Sequence, residues 1–520
     1  MRKIAQLISQ HRILFAVIII VAAAACLLGS MYARQPAGTT MLADSLSSKE
    51  TEITVSNKNY EAGSECLERC DYQNAITYLA LALDEESASL GQDSLEIAEI
   101  RSELGEAQCE LGLYSEAHDN LNSAYVTMRD NLGSEDETTV RTECMLLKAD
   151  SLSGDVQQSL AWINDAYYNA KGVSLKITIA QSEAWICQET GDFEKAAEWY
   201  DILSYWYQFV GFNNPGCVSM LNDYGILETQ VGHYDSAKSS FEWAVQYWGE
   251  YSEEDDALIA SVYLNQAALY IRAGNLTGAQ EALSEADSIY RNLYGDENIY
   301  SSSVSYQYAA LEKAKGNKEG QLEYLKKALA QAESTNAQTV DIEIDLSEYF
   351  LEENDTSSAL NWANSALSSQ KNALLEDSLV AAKAYEQICK SELAANDYSD
   401  AKQAAEKCVS IRQKILGKDN PLTGQSYSNL ALACAKESDT TNAIWYATLS
   451  LDVCERYYTE EQAEYAEITL IAGKALYEAG DNEGAIEALN TSRASRDRMG
   501  MSTDEADHFL SLTSKGGSQA

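Results

Sequence analysis

Histidine, the side chain most suited to acid–base and metal chemistry near neutral pH, is rare and scattered along this 520-residue chain. The histidines are His11, His118, His233 and His508. General acid–base chemistry needs titratable groups within hydrogen-bond reach of one another. None of the four lies in an HExxH pattern, and no GxSxG or GxxxxGK[ST] turn occurs. His233 stands in the turn VGHYDSA and His118 follows Ala117 on a helix, so both read as solvated or structural. Gly417 opens GKDNPLTG, which lacks the Lys-Ser/Thr ending of a phosphate loop and reads as a cap and turn. The run Glu253, Glu254, Asp255, Asp256 could hold Ca²⁺ weakly. It has neither EF-hand spacing nor a turn glycine, and a solvated loop capping a helix N-terminus is the simpler reading. No motif implies a cofactor, and the chain reads as a non-enzyme.

Eleven cysteines would suggest disulfides in an exported chain. No CxxC pair exists, so a zinc site has no support. Two readings stand: buried small apolar side chains, or a disulfide between Cys389 and Cys408, whose positions face each other across a helix pair.

What would position any functional side chain is a recurring unit, seen clearly over residues 261–286, SVYLNQAALYIRAGNLTGAQEALSEA. Val262, Leu264, Ala268, Leu269 and Ile271 form an apolar helical stripe. Gly274 then breaks the helix, and a second helix carries Ala279, Ala282, Leu283 and Ala286. Small side chains at 267, 279 and 286 let two antiparallel helices approach closely. The position of Ala279 recurs as Ala75, Ala117, Ser159, Ala196, Ala237, Gln321, Ala359, Ala401, Ala443 and Ala485. A partner slot lies twelve residues before each, from Gly63 to Gly473, and a third lies seven residues after, from Ala82 to Ser492. Spacings of 37 and 38 residues around Ser159 and Ala359 mark shortened connections that would kink the array or hinge it.

This three-slot pattern, with LGQDS from Leu90, LGSED from Leu132, YGDEN from Tyr294 and LGKDNP from Leu416, resembles the tetratricopeptide (TPR) family, in particular kinesin-light-chain-like repeats of about 42 residues. The resemblance implies an all-α fold: a right-handed α-α superhelix of about eleven helix pairs over residues 57–497, with first helices lining the concave side. Residues 498–520 then hold a capping helix and tail, with Phe509, Leu510 and Leu512 on its apolar face. The resemblance also implies protein or peptide binding. In TPR proteins that grip peptides, an Asn two residues before the first small slot bonds the ligand backbone, and a basic residue seven further on meets a carboxylate. The matching positions are Asn265 with Arg272, and Asn429 with Lys436. Gln307 and Gln387 match imperfectly, with Ala314 and Ala394 where a base would stand. On the same face the early repeats carry Glu61, Glu68, Glu103, Glu106 and Glu110. A basic ligand is therefore expected toward the N-terminus and a neutral or acidic one toward the C-terminus.

Residues 13–33 lack any charge and would reach about 31 Å as a helix, enough to cross a bilayer. Arg2, Lys3 and Arg12 precede them and Arg34 alone follows closely. A transmembrane signal anchor is expected, with residues 1–12 cytoplasmic, 34–56 a flexible linker, and the repeats outside the cell membrane. A cleaved signal peptide, cut near Ala23-Ala24-Ala25, is the alternative. Formal charge is −44; the first 34 residues hold four bases and no acid, so the remainder carries −48. Such a field repels nucleic acid and excludes it as a partner.

Repeat four is rich in aromatics. Trp199, Leu203, Trp206 and Val210 share one helical face and read as core, whereas Tyr205, Tyr207 and Phe209 lie around the rest of that helix. Packing between repeats competes with an exposed patch of Tyr205, Trp206, Tyr207 and Phe209 for a partner or a second copy. Together these features favour a membrane-anchored, non-catalytic scaffold with a peptide groove. The alternative is a structural spacer or self-associating surface rod.

Overall fold

The computed structural model describes residues 53–68, 71–91, 93–151, 156–252, 256–296, 298–335, 337–372 and 378–516. All belong to one compact unit, residues 49–520. The apolar span 13–33, Cys26, Cys70 and residues 253–255 of the acidic run lie outside the described residues. Among the described residues no helix is long and apolar enough to cross a membrane.

Every described element is a helix, and the helices pair in chain order. Repeats one to four are α1 (Lys58–Glu68) with α2 (Tyr72–Ser87), α3 (Leu95–Glu110) with α4 (Tyr114–Leu132), α5 (Glu137–Asp150) with α6 (Val156–Asn169), and α7 (Val173–Glu189) with α8 (Phe193–Val210). Repeats five to eight are α9 (Pro215–Gln230) with α10 (Tyr234–Tyr251), α11 (Ala257–Arg272) with α12 (Leu276–Tyr294), α13 (Tyr300–Ala314) with α14 (Lys318–Thr335), and α15 (Val340–Glu352) with α16 (Thr356–Asn372). Repeats nine to eleven are α17 (Leu379–Ala395) with α18 (Tyr398–Leu416), α19 (Pro421–Lys436) with α20 (Thr440–Tyr457), and α21 (Ala463–Glu478) with α22 (Asn482–Arg498). Helix α23 (Asp504–Gly516) closes the end by packing on α22 and α21.

Local chemistry sets these boundaries. Asn214 and Asn420 cap α9 and α19, each followed by a proline at the first helical position, where its missing N–H leaves no bond unmade. Asp256, the last residue of the acidic run, accepts from the Ala257 N–H at 2.6 Å and so caps α11. Between the helices of a pair the chain needs positive φ. Glycine supplies it in repeat six at Gly274 (φ 75), whereas Asn354, Asn396 and Ser438 carry it in repeats eight to ten, at φ 60, 63 and 67.

The small-residue slots form the seam between paired helices. They are buried in every repeat except the third, where Leu147 and Ala166 are only half-buried. That repeat contains one of the two shortened connections. Where the first slot is glycine, a large side chain from the second helix fills the space: Leu79 against Gly63, Leu121 against Gly105, Phe241 against Gly225 and Leu489 against Gly473. In repeats eight to ten, Ser347, Cys389 and Ala431 occupy that slot, and sixteen residues on stand only Ala363, Ala405 and Ala447. In these repeats a larger first-slot residue, or a second small one, meets a smaller partner than the glycines do, as close packing allows.

Cys389 and Cys408 are buried free thiols, so the disulfide reading does not describe this structure. Cys408 Sγ instead lies 3.3 Å from Ser426 Oγ. Cys109, Cys144, Cys187, Cys217, Cys434 and Cys454 are likewise buried and in no disulfide.

Candidate ligand groove

The inward surface follows from the register of the odd-numbered helices. A cavity of about 400 Å³ is lined by residues of α17, α19 and α21, with Glu505 and Phe509 of the closing helix. Repeats ten and eleven contribute the same three positions, two before, one after and five after the first small slot, and repeat nine the latter two. Repeat ten supplies Asn429, Leu432 and Lys436; repeat eleven supplies Ile471, Lys474 and Glu478; repeat nine supplies Lys390 and Ala394.

The structure therefore brings Asn429 and Lys436 into one cavity. Asn429 is 3% exposed, and its Nδ2 donates to Glu386 Oε1 at 3.2 Å. Lys436 pairs with Glu478 at 2.6 Å. Asn265 and Arg272 are not part of that cavity. Asn265 is half-buried and donates to Asn222 Oδ1 at 3.0 Å, and Arg272 is exposed. Both asparagines are engaged within the array through one recurring link. A residue three before the slot meets a residue two before the slot of the next repeat, as in Tyr60 with Glu103 and Tyr306 with Asp345.

Beneath the cavity lies a hub that spacing did not reveal. Glu386, 7% exposed, accepts from Arg412 at 2.8 Å, and Gln425, Asn429 and Lys390 converge on its other oxygen. Burial alone would push the Glu386 carboxyl up, but Arg412 and Lys390 override it and hold the group below its ordinary value. Arg412 is fixed in turn by Ser426 Oγ and the Leu422 carbonyl. Lys474 completes the rim, paired with Glu505 at 2.5 Å and lying 5.6 Å from the Phe509 ring centre. The arrangement offers an apolar floor of Leu393, Leu432, Ile471 and Phe509, ringed by three lysines whose carboxylate partners come from the chain itself. Lys390 and Lys474 were legible in principle, since both stand one residue after the slot.

Toward the N-terminus the same positions are acidic. Glu103, Glu106 and Glu110 occupy all three on α3. Burial pushes the Glu103 carboxyl up to about 7, against the hydrogen bond from Tyr60 and with the help of Glu99 and Glu106. Asp223 of α9 is likewise raised to about 7, by burial and then by Glu110. Glu110 pairs with Lys148 of α5, a cation that lies 4.8 Å from the Trp185 ring centre. Glu61 is exposed, and the side chain of Glu68 lies outside the described residues.

Both described mid-chain histidines have carboxylate partners that spacing missed: His118 with Asp150 at 2.6 Å and His233 with Glu228 at 3.0 Å. Among the described residues no group of three or more His, Cys, Asp or Glu is placed to hold a metal. The aromatic set of α8 divides. Tyr205 and Phe209 are 52% and 64% exposed and meet edge-on, with Trp206 beside them, half-buried and donating to Tyr167 Oη at 2.9 Å. Tyr207 is buried among the core residues and does not belong to that patch, and Val210, expected in the core, is 50% exposed.

No family model matches the sequence, and no curated protein matches it. Solved structures are similar in the arrangement of helix pairs. A signal-transduction ATPase with a tetratricopeptide repeat sensor from Pyrococcus horikoshii is 11% identical, with 88% of this chain and 74% of that one covered at TM-score 0.43. A Rap protein complexed with competence and sporulation factor is 12% identical, with coverage of 66% and 98% and TM-score 0.39. A tetratricopeptide repeat protein from Parabacteroides merdae is 14% identical, with coverage of 57% and 98% and TM-score 0.36. The paired helices and their buried small-residue seams make this chain an array of helix hairpins, similar in architecture to tetratricopeptide repeats.

Proposed function

We propose that the chain is a non-catalytic scaffold that holds a segment of a partner protein against the inner face of repeats nine to eleven. The observation that carries this reading is the cavity where Asn429 and Lys436 meet Lys390, Lys474 and an apolar floor. Its chemistry suits an extended segment that places an apolar side chain beside a carboxylate. The ligand carboxylate would replace Glu478 or Glu505 on its lysine, and the apolar group would supply the gain from leaving water. A cellulose-bound array of peptides varying in charge and apolar content, probed with residues 49–520, tests this. Retention of acidic–apolar peptides is expected; uniform or exclusively basic retention refutes it.

The scaffold is further proposed to be held in the cell membrane by residues 13–33, with the N-terminus cytoplasmic and the repeats extracytoplasmic. The support is the uncharged span and its basic N-terminal flank. Full-length chain should stay in the membrane pellet at alkaline pH, and protease added outside intact cells should remove the repeats. Release into the supernatant would refute the anchor.

Self-association is a second reading, favoured by the exposure of Tyr168 (73%), Phe209 (64%) and Tyr205 (52%). It predicts a concentration-dependent mass in light scattering that Phe209→Ser abolishes. Phe209 suits this test better than Trp206, whose indole is tied to Tyr167.

A further inference from the structure

The array touches itself across six repeats. Gln73 Oε1 accepts from the Ile299 N–H at 3.3 Å, the Gln338 side-chain amide donates to the Gly112 carbonyl, and Asn420 Nδ2 donates to the Thr190 carbonyl at 2.6 Å. The sequence separations are 226, 226 and 230 residues. Each bond joins the inter-helix turn side of one repeat to the start of the first helix six repeats later: one to seven, two to eight, four to ten. Between repeats three and nine the second helices α6 and α18 pack on each other. The contacts are thus one continuous seam between successive superhelical turns.

The seam is built from weak parts. Its bonds are side chain to main chain, and folding merely exchanges each for a bond to water. Its apolar part includes Pro421 and Leu422, which lie beside Gly191, where a Cβ would come within 3.3 and 3.2 Å of them. Charges near the seam are mixed. Glu189 of α7 is influenced by both Lys383 and Asp341 of the later turn, which pair with each other at 3.6 Å, and Asp341 also bears on Tyr114. Asp71 of the first turn bears electrostatically on the Tyr294 hydroxyl.

Against this weak closure stands the −48 charge of the chain beyond residue 34. Two acidic turns stacked on one another repel, and the range of that repulsion is set by salt. The Debye length is about 8 Å at 0.15 M ionic strength and about 30 Å at 0.01 M. At the lower value each turn feels the whole of its neighbour; at the higher, only the groups at the seam.

We propose that the seam is a salt-dependent latch, closed at physiological ionic strength, where it fixes the pitch of the coil, and parted when screening is withdrawn. Its groups sit at the ends of the helices that line the inner face, so pitch and groove width change together. A polycation held by the acidic inner positions of repeats one and two would act in the same direction as salt. Nothing in this inference depends on the ligand proposed for repeats nine to eleven.

The test uses the compact unit 49–520 carrying Gln73→Cys and Ile299→Cys, oxidised at about 0.01 M and about 0.3 M salt. Formation of the 73–299 cross-link, read by peptide mapping, should be at least about fivefold slower at low salt. The unsubstituted unit should show a larger radius of gyration in small-angle scattering at low salt, with unchanged far-ultraviolet circular dichroism. Equal cross-linking rates, no cross-link at either salt, or a radius of gyration indifferent to salt would each overturn the proposal.

Discussion

Gly225 and Phe241 stand so close that a Cβ built on the glycine would lie 2.6 Å from the ring's Cε1. That distance is far inside van der Waals contact, so ring and backbone define each other's size. Gly225→Ala should destabilise the array by about 1–3 kcal/mol through overpacking. Adding Phe241→Leu should recover most of the loss, because repeat six already pairs Ala267 with Leu283 at this seam. A double-mutant cycle in urea checks it; additive losses would show that the two side chains do not share one space.

Ser438 holds φ at 67, where most repeats use glycine. A non-glycine residue in this region costs roughly 1–2 kcal/mol, while glycine loses about 0.5–1 kcal/mol more backbone entropy on folding. The first term outweighs the second, so Ser438→Gly should raise the thermal midpoint slightly. A fall would show that the serine is held by something besides its backbone.

Arg412 and Glu386 are 4% and 7% exposed. Removing one member of such a pair strands the other, and Arg412→Ala should cost about 3–5 kcal/mol. Sign follows from the depressed Glu386 carboxyl: its stabilisation is present above the unfolded-state carboxyl range and lost as pH falls below it. Urea midpoints of the wild type should therefore drop steeply in strong acid, and those of Arg412→Ala less steeply.

Glu103 and Asp223 behave oppositely. Both are raised to about 7, well above their ordinary values of 4.5 and 3.8. Between those values and 7 the folded chain binds more protons than the unfolded one, so stability rises as pH falls. The thermal midpoint should increase by a few degrees, on the order of 2–4 °C per kcal/mol in a large domain, from pH 7.5 to 5.5. Glu103→Gln should flatten that rise.

The sequence made the small-residue seam plain because its slots repeat at fixed local offsets of twelve and seven. The same register placed Asn429 and Lys436 on the inner face. Three things were hidden. Glu386 and Arg412 are linked across a helix–helix gap that no short spacing encodes. The Gln338–Gly112 contact depends on twist accumulated over six repeats, a quantity set by every interface between them. Tyr207 looked surplus to a helix already rich in aromatics, yet it is buried beside Gly216, where a Cβ would sit 2.7 Å from its hydroxyl.

The inner-face cavity is tested most directly by fluorescence anisotropy, titrating residues 49–520 into a labelled acidic–apolar peptide retained on the array. Lys436→Glu should weaken binding about tenfold, equivalent to about 1.4 kcal/mol, and Leu432→Asp should abolish it while the helical signal is kept. Undiminished affinity in both variants would place the ligand elsewhere and contradict the groove.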